Sequence, residues 1–268
     1  MPETPKLAIV AALEREVRPM VRQWTVVKKL HAGRTFRFFE KGRTVVVCGG
    51  IGAEPARRAA EAVIALYSPE IVYSAGFAGA LDPSLKVGEI LVPARVIDAS
   101  DCSSVDTGAG QGILVTFGAV ATPEQKGKLA KSFSAQAVDM EAAAVARAAV
   151  ARGVRFAAVK AISDEVGFSL PGMEARTSEG SNQGFISPSG EFLTGKFARF
   201  ILIRPWTWAA ALRLAHNSKR AAIALCAWLG DADRAQGNLP ERDSPQNAAA
   251  GNDSQKSKMT EKDSRPVL

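Results

Sequence analysis

Six carboxylates stand just beyond short apolar runs or beside helix starts in this sequence. Glu14 and Glu16 follow Leu7–Leu13, Asp139 and Glu141 sit at the opening of an Ala-rich helix, and Asp164 and Glu165 follow Phe156–Ile162. Convergent carboxylates suit acid–base chemistry, in which one protonates a leaving group and another activates water. An acid near a helix start also complements the helix dipole without any chemistry. Asp164 resists that reading, because it directly follows a buried strand in Lys160-Ala161-Ile162-Ser163-Asp164. Other chemistries find less support. There are only two His, at 31 and 216, and three Cys, at 48, 102 and 226, without paired spacing. That argues against a zinc finger, a disulfide scaffold and Ser-His-Asp catalysis, and it suits a reducing compartment. Neither a metal nor a cofactor is expected. Gly50-Ile51-Gly52 follows a strand, but Pro55 stands where a dinucleotide fingerprint needs its third glycine.

The elements that must position these acids alternate. Leu7–Leu13 reads as a buried strand and Glu14–Arg22 as a helix. Phe36–Glu40 and Thr44–Cys48 read as strands around the Lys41-Gly42 turn. Pro55–Leu66 reads as a helix with Pro at its start. Glu70–Ala75 reads as a strand, with a sharp turn over Gly76–Ala80. Glu89–Ile97 and Gly112–Phe117 read as further strands, with Ser100–Gly112 a loop. Met140–Arg152 is a helix ended by Gly153, and Phe156–Ile162 a buried strand. This alternation predicts an α/β domain with a largely parallel central sheet and an antiparallel element. Such sheets bind ligands at the carboxyl ends of their strands, which is where the acids lie.

The 268 residues carry a net charge of +7. Residues 230–268 are polar, with seven acids and six bases, and predict a disordered tail. Residues 196–229 hold Lys196, Arg199, Arg204, Arg213, Lys219 and Arg220, no acid, and Trp206, Trp208 and Trp228. From Trp208 the apolar spacing is helical. The segment is too interrupted by charge to span a bilayer. It reads either as a helix packed on the domain, basic face in water, or as a peripheral membrane contact. Nucleic acid is not expected, since no reading motif accompanies the charge. The domains are therefore expected at 1–195, 196–229 and 230–268.

Several stretches resemble the purine nucleoside phosphorylase and nucleosidase superfamily, above all its methylthioadenosine/S-adenosylhomocysteine nucleosidase branch. They are Ala12-Leu13-Glu14-Arg15-Glu16-Val17, Ser74–Leu81 with its glycines, Lys86–Val92, Val138-Asp139-Met140-Glu141-Ala142, and Ala161-Ile162-Ser163-Asp164. The resemblance implies a Rossmann-like three-layer α/β/α sandwich, a homodimer, an adenine nucleoside substrate and cleavage of its N-glycosidic bond. Asp164 would protonate adenine at N7, with Ser163 helping to position it. Glu141 would hold ribose hydroxyls, Met140 would pack on the sugar, and Glu16 would activate water. Phe77, Ala78, Gly79 and Val120 would line the nucleoside pocket.

Two departures bear on substrate. Ala94–Val138 is short for the nucleosidase branch, which implies a more open 5′ side. Ser74 and Phe77 stand where the phosphorylase branch holds phosphate, which favours water as nucleophile; Arg34 is one residue that could still serve an anion. The short middle and basic segment are similar to hopanoid-associated phosphorylases, which implies an adenosylated lipid substrate. Phosphorolysis, methylthioadenosine/S-adenosylhomocysteine nucleosidase activity, and a non-catalytic nucleoside-binding module docked on a membrane stay open as alternatives. The expected location is the cytoplasm, at the inner membrane surface if residues 196–229 bind lipid.

Overall fold

The structure, a computed structural model, describes residues 7–169 and 207–237. The expected lid or linker over 167–195 lies almost wholly outside the described residues, as does the tail beyond 237. A mixed sheet runs through the middle. Strand β1 (Leu7–Ala11) is buried along its whole length and pairs in parallel with β4 (Thr44–Cys48) and β5 (Ile71–Ala80). Continuous apolar runs such as LAIVA are what a strand covered on both faces requires. Beyond β4 lie β3 (Arg34–Lys41) and β2 (Thr25–His31), each antiparallel to its neighbour.

β5 is the hub. Its first part pairs with β1, and β11 (Arg155–Asp164) runs in parallel along it. Its last residues pair with β10 (Ala137–Asp139), which leads on to β9 (Ile113–Thr116), β7 (Arg95–Asp98) and β8 (Ser104–Asp106). The short β6 (Ile90–Leu91) covers β11. The glycine-rich stretch is thus no turn: Gly76 and Gly79 sit inside a ten-residue strand. The expected strand Glu89–Ile97 is two strands, interrupted around Pro93, which has no N–H for a ladder. The expected loop Ser100–Gly112 contains β8.

Helices cover both faces. On one, α2 (Ala53–Tyr67) and α4 (Ala142–Val150) pack closely through Ala59, Ala60, Ala62, Ala142, Ala146 and Ala149, all without exposed surface. On the other lie α1 (Glu14–Val21) and α5 (Trp208–Gly237). Ala221, Leu225 and Leu229, spaced four apart on one stripe of α5, are buried with Val17 and Val21 of α1. Burying a Leu or Val stabilises by about 1.5–3 kcal/mol, so this stripe fixes α5 on the domain. α5 also runs eight residues past the expected start of the tail. No described helix is long and apolar enough to cross a membrane. A further helix, α3 (Pro123–Phe133), stands beside β9 and β10.

Candidate active site

β11 ends at the acid singled out above. Its register against β5 shifts between Ile162 and Asp164, so Ser163 is an extra residue and the strand end is re-aimed. The Ser163 hydroxyl has one proton, and its shorter contact takes it: it donates to Asp164 Oδ1 at 2.7 Å, against 3.3 Å to Ala78 O. The other carboxylate oxygen, Oδ2, accepts from Lys126 Nζ at 2.5 Å, and Lys126 also donates to the Glu165 carbonyl at 2.9 Å. Lys126 is 2% exposed. Gly79 lets the pair approach the sheet. A Cβ there would lie 2.9 Å from Asp164 Oδ2 and 3.1 Å from Lys126 Cε.

Three residues back along β5, roughly 10 Å at strand rise, Gly76 serves a second group. A Cβ on it would come within 3.0 Å of Glu16 Oε2. Glu16 sits in the first turn of α1 and reaches back to the Ala12 and Leu13 N–H groups at 3.2 and 3.3 Å. Lys160, 1% exposed, is an ammonium inside a buried strand. It meets Asp139 Oδ2 at 2.8 Å and donates to Ser74 Oγ at 3.1 Å. Asp139 also accepts from the Thr116 hydroxyl at 2.6 Å and from Ala142 N–H at 2.9 Å, fixing the start of α4. Glu141 accepts from Gly52 N–H at 2.9 Å. Gly52 has φ +98°, so the loop that superficially matched a nucleotide motif is shaped to aim this N–H at Glu141.

The electrostatics follow from burial. Removal from water pushes the Glu16 carboxyl up, with the Lys160 charge opposing. Glu141 is pushed up to about 8, by desolvation first and then by the Asp139 charge. Burial works against the Lys160 ammonium, yet Asp139 and Glu141 outweigh it and hold the group above its ordinary value. One cation thus serves three carboxylates.

Glu16, Lys126, Asp139, Glu141, Ser163 and Asp164 open onto one cavity of about 1090 Å³, with Lys160 buried behind them. Glu16, Phe77, Ala78, Gly79, Val120, Met140, Glu141, Ser163 and Asp164, the nine candidates from the sequence, all line it. Arg34 does not; it lies over the Phe36 ring instead. The sequence reading overlooked Lys126, Lys160 and Thr116. The helix carrying Lys126 was legible: Thr122-Pro123-Glu124-Gln125 is a capping box with Pro at the first turn, and the Thr122 side chain does accept from Gln125 N–H. Lys160 was the one charge within an apolar strand, which in a buried position demands a partner.

Residues 6–117 and 110–185 match the Phosphorylase superfamily. The chain belongs to that family. As a superfamily member it is similar to the 5′-methylthioadenosine/S-adenosylhomocysteine nucleosidase of Staphylococcus aureus, at 28% identity over 196 residues, 59% of this chain and 86% of that one. The solved nucleosidase of that name from Neisseria meningitidis, in complex with methylthio-immucillin-A, shares its fold with a TM-score of 0.62. That match covers 85% of this chain and 98% of the other at 17% identity. The futalosine hydrolase of Helicobacter pylori matches with a TM-score of 0.53 over 60% of this chain and 88% of its own, at 20% identity. These superfamily relatives are nucleosidases and hydrolases, and this chain is an enzyme of the same family.

Proposed function

We propose that the protein releases adenine from a nucleoside whose 5′ substituent is long and apolar, an adenosylated hopanoid lipid being the substrate that fits the sequence resemblance. The observation that carries this reading is the layout of one cavity. Asp164, Glu16 and Glu141 all line it, Asp164 beside Gly79 and Glu16 beside Gly76, three residues apart on β5. Separate carboxylates in one cavity are what glycosidases that use water directly employ, one at the leaving group and one at the water on the sugar's far face. Asp164 protonates N7, Glu141 holds ribose hydroxyls under Met140, and Glu16 receives a proton from the attacking water. Breaking the bond leaves a cationic sugar, which the surrounding carboxylates stabilise.

Water is favoured over phosphate. Ser74 is buried and already accepts from Lys160, and Phe77 offers only an apolar ring. The 5′ side is favoured as apolar because of the wall. Ala211, Ala215, Ala222, Leu214 and Ile223 of α5 line the same cavity, and small side chains there leave room. Arg18 and Lys219 line it too, from α1 and α5. Outside, Leu212 is 72% exposed and Trp208 47%. Basic, aromatic and aliphatic groups together suit contact with an anionic lipid surface.

Mass-spectrometric product analysis tests the reading. Adenosyl-lipid, methylthioadenosine and inosine are each incubated with and without phosphate. Free adenine from the adenosyl-lipid without phosphate is expected. Release that depends strictly on phosphate would establish phosphorolysis instead, and binding of adenosine derivatives without turnover would establish a binding module. Because α5 builds the cavity wall, the membrane contact is tested by Leu212→Glu with Trp208→Glu in liposome flotation, not by truncation. Equal flotation of both forms on anionic vesicles would remove that part of the proposal.

A further inference from the structure

The geometry points to Lys126 as the residue that arms Asp164, supplying through it the proton that reaches the leaving base. This inference rests on the adenine-releasing role proposed above. Both carboxylate oxygens of Asp164 already accept hydrogen bonds, Oδ1 from Ser163 and Oδ2 from the Lys126 ammonium. Accepting from a hydroxyl at one oxygen and an ammonium at the other suits a carboxylate, whose oxygens only accept. The nearest transferable proton is on Lys126, at 2.5 Å. Lys126 lines the cavity and is almost wholly buried; one of its N–H groups is directed at Asp164 and another at the Glu165 carbonyl, which cannot pass a proton on.

The fold has been arranged around this contact. Gly79 leaves no room for a side chain between the pair and the sheet, and Thr122 and Pro123 start α3 so that Lys126 falls in its first turn. The contact also joins the sheet's last strand to a helix 38 residues earlier.

One proton moves from Lys126 Nζ to Asp164 Oδ2 and on from Asp164 to N7, so that Asp164 is a carboxylate before and after. The C1′–N9 bond breaks, its electron pair stays with the base, and adenine departs neutral. The positive charge lost at Lys126 appears on the sugar. Water then adds to C1′ and yields its proton to Glu16; Glu16 releases that proton to solvent and Lys126 regains one, which closes the cycle.

Lys126→Met and Lys126→Arg test the assignment, each assayed on an adenine nucleoside and on p-nitrophenyl β-D-ribofuranoside. Nitrophenolate leaves without protonation, so its release reports the ribose end and the folded state alone. Wild-type protein must release adenine first; if it does not, the proposed function fails and not this inference. Lys126→Met is expected to lower kcat for adenine by about 100-fold or more while nitrophenolate release changes by less than about threefold. Lys126→Arg keeps the charge but has no proton to release, and it is expected to fall with Met. Equal loss on both substrates, or no loss on either, would overturn the assignment. Arginine protein at the wild-type rate on adenine would overturn the proton transfer.

Discussion

The floor of the cavity and its α1–α5 wall are made from different materials. The floor gathers Asp164, Lys126, Glu16, Lys160, Asp139 and Glu141, in direct ion pairs or hydrogen bonds drawn from strand ends and helix starts far apart in sequence. The wall offers Ala211, Ala215, Ala222, Leu214 and Ile223 to the cavity beside Arg18 and Lys219, while Leu212 and Trp208 are exposed. Charges removed from water must be paired and hydrogen-bonded, so each floor residue depends on its neighbours. The wall carries no such obligation. It is free to set which 5′ group enters, while the floor sets what is done to the bond. Fixed chemistry with adjustable reach is a division of labour that the family fold permits, because the floor belongs to the sheet and the wall to its covering helices.

The contrast can be broken first at Lys160. Removing one member of a buried pair leaves the other uncompensated, at about 3–5 kcal/mol. Lys160→Met should therefore cost that much in urea unfolding. By comparison Arg147, 45% exposed and paired with Asp98 at 2.6 Å, should cost under about 1 kcal/mol when changed to Ala. Equal losses would show that the floor is not the dependent network described here.

The wall gives the next effect. Ala215→Trp should shorten the cavity and lower the kcat/KM ratio of a long-tailed adenine nucleoside to methylthioadenosine by about tenfold, worth ~1.4 kcal/mol of discrimination. A ratio that does not move would mean that the 5′ group leaves the cavity elsewhere.

The smallest effect is thermal. Glu141 has a folded-state value of about 8 against 4.5 for an unstrained carboxyl. Between those values the folded chain binds more protons than the unfolded one, so this group's contribution turns destabilising as pH rises from 4.5 through 8. Glu141→Gln removes the penalty and still accepts from Gly52. Its Tm should exceed wild type by a few degrees at pH 8.5 and by less at pH 5. A gap that widens toward acid would contradict the assigned burial of charge.

The candidate site was more legible in the sequence than some elements that build it. Acids after apolar runs, read with the family resemblance, led to nine residues that all line one cavity. Local spacing is enough for that, because strand ends in such sheets meet at one edge. The glycine-rich stretch was misleading. Glycines commonly mark turns, but Gly76 and Gly79 stay extended in β5, where the missing side chains admit Glu16 and Asp164. β2 was missed because its residues alternate between exposed and half-buried at a sheet edge, with two Lys among seven residues. The two buried lysines escaped notice for a related reason. A lysine is ordinarily solvated, and only tertiary contact reveals the carboxylate that holds Lys126 or Lys160 inside. α5 shows the remaining limit: its periodicity announced a helix, but which face would be buried depended on α1 and β11.

Asp164→Asn is the most direct test of the central claim. Asparagine keeps the shape and the bond from Lys126, but it cannot relay a proton to N7. Adenine release from the nucleoside, measured against wild type at a temperature where both are folded, should fall by about 10²–10⁴-fold. Adenine release at the wild-type rate by the asparagine protein would contradict the account.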